Sequence, residues 1–293
     1  MASPPTFLTI GHVARDLHDD GSFSLGGAVT FAAHTADRLG LAAAIVTRAD
    51  AEIAALLSTT LPNVSLHVSP SARTTTFANR YHDGFRTQYL YARAEPLTVA
   101  DVPHSWLQAS IVLFGPLAQE IEASFVTLFP RTPGMLLAAT PQGWLRRWDE
   151  AGRVWPVSWQ AAEQILPILD VLILSHDDLL PFASGDRAEV EALLGHWSTR
   201  VPLLVATDGR HGATLFQRGM QQHFPAYAAH EVDPTGAGDV FAAAFLVHLY
   251  RHADPVRAVD FANRVAAFSV EQPGIQGVPT LAMLEQQWRP DAH

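Results

Sequence analysis

Short apolar runs alternate with longer amphipathic segments along most of the chain. The apolar runs are rich in Val, Ile, Leu and Ala and predict buried strands at residues 6–13, 41–47, 109–115, 134–140, 170–175 and 201–209. Segments with helical periodicity lie among them, at residues 27–40, 51–60, 158–169 and 187–198. Alternation of this kind is typical of a mostly parallel sheet with helices on both faces. The pattern therefore predicts an α/β fold.

Two regions depart from this alternation. Residues 73–93 carry β-rich arms around Asp83-Gly84, a dipeptide typical of hairpin turns, and Gln88 on one arm faces either a substrate or water. Residues 13–27 form a polar connection after the first strand, and helical patterns follow Gly236. Without an internal repeat or linker, the sequence favours a single domain, 1–293, with lid elements near 14–25 and 73–93.

Composition excludes several classes of protein. The chain of 293 residues has a formal net charge of −10 and no basic run, which argues against a nucleic-acid groove. No apolar run approaches the ~20 residues that span a bilayer. The N-terminal segment lacks the basic start of a signal peptide. We therefore expect a cytoplasmic protein that binds neither nucleic acid nor membrane.

Two residue types are missing altogether, cysteine and lysine, so all 19 basic residues are arginines. Without cysteine there is no thiol nucleophile and no disulfide. Without lysine, the Walker P-loop, the protein-kinase strand lysine and Schiff-base chemistry are excluded. Any phosphate must therefore be bound by backbone N–H groups, helix N-termini, arginine or metal.

The stretch DPTGAGDVFAAAF, residues 233–245, joins a loop to an apolar helix. Gly236, Ala237 and Gly238 are small enough for an anion to approach the backbone N–H groups at the positive end of the helix dipole. Asp239 would repel a bound phosphate unless it takes a proton, and a hydroxyl acceptor of phosphoryl transfer supplies one. Asp239 is therefore a candidate general base. In the alternative interpretation, it only complements the helix dipole.

This stretch resembles the C-terminal signature of the PfkB, or ribokinase-like, carbohydrate kinase family, and GGAVTFAAHTADRLG at 26–40 resembles the N-terminal signature. The resemblance covers nearly the whole chain. It implies a ribokinase-like three-layer fold, with a mostly parallel sheet flanked by helices and a small β-hairpin lid. It also implies phosphorylation of a hydroxyl group with ATP and Mg²⁺, and many members bind a monovalent cation such as K⁺.

The resemblance implies roles for the residues at matching positions. Asp239 matches the catalytic base, and Gly236, Ala237 and Gly238 match the anion hole. Asp16 matches a carboxylate that binds substrate hydroxyls. Gly26 and Gly27 match a pair of glycines that let the substrate approach the backbone. Further positions match the nucleotide site (Ser175, Thr207, Gly209, Gly212, Asn263 and Ala267) and the cation sites (Asp178 for Mg²⁺ and Asp233 for the monovalent ion).

The chain departs from the family pattern at several of these positions. The usual N-x-x-E motif is SHDD here, with Ser175 for Asn and Asp178 for Glu, and aspartate remains a hard oxygen donor for Mg²⁺. Phe31 replaces an asparagine that binds sugar in ribokinases, so it would line the substrate site without that hydrogen bond. Arg146 follows a strand end, where it contacts substrate or phosphate, or is a solvated surface residue.

These features predict an ATP-dependent kinase for a small sugar or a cyclic polyol such as myo-inositol. A nucleoside kinase is one alternative. A kinase-like ligand-binding protein without turnover is another, motivated by the altered SHDD motif. The sequence leaves open whether the protein is a monomer or a homodimer.

Overall fold

A computed structural model describes residues 4–82, 85–181 and 186–287. The strands in this part of the chain are β1 Phe7–Ile10, β2 Ala14–Leu17, β3 Phe23–Gly26, β4 Ala43–Ala49, β5 Ser65–Pro70, β6 Thr75–His82, β7 Phe85–Ala92, β8 Ile111–Phe114, β9 Leu136–Ala139, β10 Arg146–Trp148, β11 Val154–Pro156, β12 Val171–Ser175, β13 Leu203–Thr207, β14 Ala213–Gln217 and β15 Met220–Phe224. The helices are α1 Ala28–Arg38, α2 Ala51–Thr60, α3 Ala123–Thr127, α4 Ala162–Ile165, α5 His176–Leu179, α6 Arg187–Ser198, α7 Ala237–His252, α8 Pro255–Ser269 and α9 Leu281–Gln287.

A nine-stranded sheet forms the centre of the molecule, in the order β15-β14-β13-β12-β9-β8-β1-β4-β5. The run from β13 to β5 is parallel, and β14 and β15 join it antiparallel. Each apolar run predicted as a strand contributes a strand to this sheet; β4 is as long as its run but begins two residues later, and the other five strands are shorter than their runs. The predicted α/β fold, with a mostly parallel sheet, is confirmed.

Side chains alternate between two cores along each buried strand, because successive residues point to opposite faces. In β8, Ile111 and Leu113 pack against the side covered by α1, α2, α7 and α8. Val112 and Phe114 pack on the other side, with α3, α4 and α6. The sheet is therefore buried on both faces, which explains why its strands appear in the sequence as continuous apolar runs.

Five of the helices differ in how they begin. An aspartate side chain accepts a backbone N–H at the start of three helices: Asp50 at α2, Asp186 at α6 and Asp254 at α8. Helices α1 and α7 instead follow glycines with positive φ, Gly27 and Gly236, and no side chain of the described residues caps them. Their first N–H groups are left for other partners.

The lid is a four-stranded sheet in the order β3-β2-β6-β7. Its hairpin, β6 with β7, matches the prediction, and the turn residues Asp83 and Gly84 lie outside the described residues. The segment 13–27, predicted as a polar connection, instead contains the antiparallel pair β2 and β3. Its strands are held by pairing, with β2 parallel to β6, rather than by an apolar pattern of their own.

A two-stranded ribbon, β10 with β11, follows the carboxyl end of β9. The helix predicted at 158–169 is reduced to α4 and a 3₁₀ turn at Leu166–Ile168. Pro167 accounts for the break, since proline has no N–H to donate within a helix. In the part of the chain that the structure describes, no helix has the length and apolar character needed to cross a membrane.

Candidate active site

One cleft of about 1960 Å³ runs between the lid and the carboxyl ends of the central strands. Asp16 and Phe77 lie at its lid end, and Asp239 lies on its floor. Thr207 and Ile275 are among the residues that line its other end. Ligands of open α/β sheets bind at this edge of the sheet. The cleft is therefore the candidate active site. Its two ends, under the lid and beside α8, are called the acceptor end and the donor end, after the roles that the family resemblance implies for their residues.

The floor of the cleft is the N-terminus of α7. Gly236 precedes the helix with φ of 78°, and the first intrahelical bond runs from Val240 N to Gly236 O over 2.9 Å. The N–H groups of Gly238 and Asp239 precede that bond, so they point out of the helix end. Gly238 is exposed, and a β-carbon on it would meet nothing within 4 Å. An anion can therefore reach this turn of backbone, where the helix dipole favours negative charge.

Asp239 shares the cleft floor with Asp178 and Arg146. Burial raises the pKa of Asp239 to about 7, the charge of Asp178 adds to the rise, and Arg146 opposes it. Burial likewise raises the pKa of Asp178, again opposed by Arg146. A carboxylate with a pKa near neutrality, open to a cleft, has the basicity that a general base needs.

Asp178 belongs to a capping box at the start of α5. Its Oδ2 accepts Ser175 N over 3.2 Å, and Ser175 Oγ accepts Asp177 N over 3.2 Å. Oδ1 of Asp178 accepts Gln142 Nε2 over 3.3 Å. The SHDD motif, which stands in place of N-x-x-E, thus forms a turn held by its own hydrogen bonds, and this turn fixes the position of Asp178 in the cleft.

The donor set on this wall fits Mg²⁺. Asp178 is a hard oxygen donor whose negative charge is disfavoured by burial, and a divalent cation beside it would offset that cost. Among the described residues no three acidic or histidine side chains form a complete metal-binding group. This agrees with the ordinary behaviour of Mg²⁺, which keeps several waters and takes only one or two carboxylates.

At the acceptor end, Asp16 lies on β2 opposite Ser24. A β-carbon on Gly26 would overlap the Asp16 carboxylate, so Gly26 makes room for Asp16. Gly26 is buried and does not line the cleft, whereas Gly27 lines it with φ of 99° at the start of α1. Of the two glycines expected beside the substrate, the structure therefore places only Gly27 in the cleft lining.

Two amides on the lid also face the cleft. Asn79 on β6 and Gln88 on β7 are paired directly across the strands, and Gln88 Nε2 donates to Asn79 Oδ1 over 3.3 Å. Phe77 lies two residues before Asn79 on the same face, with the Arg146 guanidinium 5.7 Å from its ring centre. The polar groups at the acceptor end therefore include the Asp16 carboxylate, two amides and the Arg146 guanidinium beside an aromatic ring, which suits a compound rich in hydroxyl groups.

At the donor end, Gly212 has φ of 97°, and a β-carbon on it would overlap the backbone of residues 224–226. Thr207 Oγ1 donates to Leu174 O over 3.3 Å, and Gly209 lies open to the cleft. Asn263 Nδ2 is directed at the carbonyl oxygens of Phe224 and Pro225, at 3.4 and 3.3 Å, so its amide supports this loop. Ala267 lines the cleft beside it.

Asp233 lies at the cleft margin and holds the loop before α7. Its Oδ1 accepts Thr235 N over 2.9 Å, and Oδ2 accepts Gly274 N over 2.8 Å. Although burial acts to raise its pKa, the hydrogen bonds with Thr235 and Gly274 leave the pKa below the ordinary value. Both oxygens therefore have backbone partners, and they tie the loop of residues 233–235 to the segment after α8.

Of the residues singled out in the sequence, all except Gly26 line this cleft. The lining residues that sequence reasoning passed over include Gln142, Asn79 and Ser24. Gln142 had a signal, since it follows the end of β9 at the edge where ligands bind. Asn79 and Ser24 had none, because their positions depend on the pairing of the lid strands.

Comparison with known proteins agrees with this architecture. Residues 150–281 match the model of the pfkB family carbohydrate kinases, so the predicted family resemblance is confirmed on that segment. The probable fructokinase-5 of Arabidopsis thaliana is 32% identical over 140 residues, which are 44% of this chain and 43% of that protein. The ribokinase of Bacillus subtilis strain 168 is 39% identical over 84 residues, which are 28% of this chain and 29% of that protein. The chain thus spans less than half the length of the curated relatives it matches.

Solved structures extend the likeness to the whole chain. A pyrophosphate-dependent kinase in the ribokinase family, complexed with a pyrophosphate analog and myo-inositol, has a TM-score of 0.81 at 25% identity, covering 96% of this chain and 99% of that one. The ribokinase of Arabidopsis thaliana, complexed with ribose and ATP, has a TM-score of 0.71 at 18% identity, covering 97% and 98%. The ribokinase-like fold predicted from the sequence is confirmed.

Proposed function

We propose that this protein is a kinase that transfers the terminal phosphoryl group of ATP to a hydroxyl of a small polyol or sugar, with myo-inositol as the first acceptor to test. The observation that carries the proposal is the position of Asp239. This carboxylate, with a pKa of about 7, lies on the first turn of a helix whose N–H groups face a cleft. A base and an anion-binding turn are thus on adjacent residues, as phosphoryl transfer to a hydroxyl requires.

The chemistry can be written with the residues of the cleft. The acceptor hydroxyl oxygen attacks the terminal phosphorus, the bond from that phosphorus to the bridging oxygen breaks, and Asp239 takes the hydroxyl proton. The N–H groups of Gly238 and Asp239 stabilise negative charge on the transferred group. Asp178 would hold Mg²⁺ through water, and bound Mg²⁺ would neutralise charge on the donor phosphates. Positioning and charge neutralisation supply most of the rate.

Arg146 is the cation we assign to the transferred phosphoryl group. The chain has no lysine, and the charge of Arg146 acts on both Asp178 and Asp239. A guanidinium matches phosphate oxygens with a planar array of donors. The same residue lies beside Phe77 at the acceptor end, so it stands between acceptor and donor.

The acceptor end favours a compound with several hydroxyl groups. Asp16, Asn79 and Gln88 offer carboxylate and amide groups along one face of the lid, and Phe77 offers an apolar surface beside them. A solved kinase that matches nearly the whole chain contains myo-inositol. A nucleoside is the alternative acceptor, and it would need room for a base under the lid.

Inorganic pyrophosphate is a second candidate donor. The same solved structure is of a pyrophosphate-dependent kinase. In this chain the Asn263 amide, a candidate base contact, is already directed at two carbonyl groups, whereas the phosphate-binding turn does not depend on a nucleoside. In favour of ATP, the cleft continues past that turn to Ala267 and Ile275, which leaves room for a nucleoside.

The test is a matrix of donors and acceptors. Purified protein with Mg²⁺ is incubated with ATP or pyrophosphate and with myo-inositol, fructose, ribose or adenosine, and ³¹P NMR identifies a new phosphate monoester. Product from ATP and a polyol or sugar supports the proposal, and product from pyrophosphate alone supports the second donor. Product only with adenosine supports the nucleoside kinase. Absence of product in every combination, with binding of a polyol retained, supports the binding protein without turnover.

A further inference from the structure

The ribbon, residues 146–156, is a compact unit closed by Asp149. Oδ1 of Asp149 accepts the backbone N–H groups of Ala151 and Arg153, each over 3.0 Å. Oδ2 accepts Trp155 Nε1 over 2.8 Å. Together with the backbone pairing of β10 and β11, these hydrogen bonds hold the two strands of the ribbon and its turn together.

The turn of the ribbon is joined to lid strand β7. Leu90 N donates to Gly152 O over 2.8 Å, and Tyr89 forms an isolated antiparallel bridge with Arg153. Trp148 and Val154 of the ribbon pack against a small apolar cluster that includes Phe77 and Leu90 of the lid. The ribbon is therefore attached to the lid by backbone hydrogen bonds and by side-chain packing.

Gly152 is the residue that permits this attachment. Its φ is 80°, in the left-handed region, and a β-carbon on it would stand 2.6 Å from Leu90 O. A side chain at this position would strain the turn and push the ribbon away from β7. The junction between Gly152 and Leu90 thus depends on the absence of a side chain.

The ribbon begins at Arg146, inside the cleft. Arg146 pairs with Pro156 across the ribbon, and its backbone oxygen accepts the side-chain amide of Gln119. Its guanidinium lies over Phe77, 5.7 Å from the ring centre. A displacement of the ribbon from the lid would therefore move the guanidinium relative to the cleft floor.

We infer that Gly152 is a positioning residue: its junction with Leu90 fixes the ribbon to the lid and so holds the Arg146 guanidinium where the phosphoryl group is transferred. The inference rests on the proposed function for the identity of the anion. Gly152 does not line the cleft, yet it would control the position of the Arg146 guanidinium inside the cleft. The lid therefore does more than cover the acceptor, since one of its strands orients the cation that faces the donor.

The test compares Gly152→Ala with Gly134→Ala. Gly134 has φ of 82°, and a β-carbon on it would meet nothing within 4 Å, so its substitution carries the same backbone strain without the collision. We expect Gly152→Ala to lower kcat by up to about 10²-fold, the loss that a displacement near 1 Å causes, with the acceptor KM changed less. Gly134→Ala should keep the wild-type kcat.

A double-mutant cycle separates positioning from general damage. In the Arg146→Ala background, Gly152→Ala should cost less than about a further twofold in kcat, because the group that it positions is already gone. Independent losses that multiply would overturn the inference, as would equal losses in the two glycine variants. Asp149→Ala perturbs the same ribbon from its exposed turn and should reproduce the loss if Gly152→Ala does not fold.

Two readouts do not need turnover. Hydrogen exchange of the Leu90 amide should be faster in Gly152→Ala and unchanged in Gly134→Ala. Binding of inorganic pyrophosphate, measured by calorimetry, should weaken in Gly152→Ala and in Arg146→Ala to a similar extent. If the wild type transfers no phosphoryl group, the proposed function fails while these measurements still decide the role of Gly152. Wild-type pyrophosphate binding by Gly152→Ala would end the inference.

Discussion

The Cα of Gly236 lies against the ring of Phe31, so closely that a β-carbon on Gly236 would overlap the ring. Phe31 is buried on α1, and Gly236 precedes α7 with φ of 78°. Phe31, at the position where the family resemblance implies a sugar-binding asparagine, therefore has a structural role, since its ring packs against the turn at Gly236. The two segments that resemble the N-terminal and C-terminal signatures of the PfkB family meet at this contact.

Gly236→Ala should be strongly destabilising because it adds two costs. The left-handed backbone costs about 1–2 kcal/mol, and the overlap with Phe31 costs about 1–3 kcal/mol. Gly219→Ala, where φ is 76° and the space is open, isolates the first cost. Urea unfolding should also show that Phe31→Ala and Gly236→Ala together cost less than the sum of their separate effects. Simple additivity would contradict the steric explanation.

Asp239→Asn should abolish most turnover while leaving donor and acceptor binding intact. The substitution keeps the shape of the side chain and removes its basicity, so kcat should fall by about 10²- to 10⁴-fold. In the wild type, only the ionised carboxylate can take the hydroxyl proton. With a pKa of about 7, kcat should therefore decline as the pH falls below neutrality. A coupled assay of donor consumption measures both effects, and near-wild-type turnover would refute the assignment.

Asp239 should also lower the stability of the fold at alkaline pH. Its pKa is raised from 3.8 to about 7, so the folded state holds the proton more tightly than the unfolded state. The resulting stabilisation is complete below pH 3.8 and is lost as the pH rises through about 7. Asparagine resembles the protonated carboxyl group. Melting curves should show Asp239→Asn to be more stable than the wild type at about pH 8, and the difference should shrink towards about pH 5.

Asp178→Asn tests the metal and the charge coupling together. Losing a carboxylate should raise the Mg²⁺ concentration needed for half-maximal activity. Losing its negative charge should also lower the pKa of Asp239, so the acidic limb of the kcat profile should move to lower pH. Asp177→Asn, in the same turn but exposed, is the matched control. Unchanged Mg²⁺ dependence in Asp178→Asn would remove the metal role.

Asn79→Leu and Gln88→Leu should each raise the acceptor KM by about 3- to 10-fold, the equivalent of one lost hydrogen bond. The donor KM should be unchanged, because both amides lie on the lid. Thr87→Val is the control, since Thr87 neighbours Gln88 on β7 and points to the opposite face. Steady-state kinetics with the acceptor found in the donor and acceptor matrix provides the measurement. A shift in the donor KM alone would place these amides in a different site.

The features that could be predicted from the sequence are those formed by residues close together in the chain. The turn at Gly236 and the candidate base Asp239 are close together in the chain, and a glycine-rich loop entering an apolar helix can be recognised without a partner. The central strands were equally recognisable, because strands buried on both faces form continuous apolar runs. Helices α2 and α6 begin and end where their patterns predicted.

The features that could not be predicted from the sequence depend on pairing between distant segments. Strands β2 and β3 are polar and short, and only their neighbours in the lid make them strands. The closeness of Asp16 to Gly26 follows from that pairing, and so do the cleft-facing positions of Asn79 and Ser24. Asn263 had a predicted ligand role, but the structure also directs its amide at the carbonyl groups of residues 224 and 225.

The lid is assembled from segments that are far apart in the chain, and this imposes an order on folding. Ala14 of β2 is in register with Thr75 of β6, and the N–H of Leu90 on β7 donates to the carbonyl oxygen of Gly152. Closing such long loops costs entropy that only an existing core can offset. We therefore expect the central sheet to form first and the lid to form last, so the surface that selects the acceptor would also be among the first to open by local unfolding.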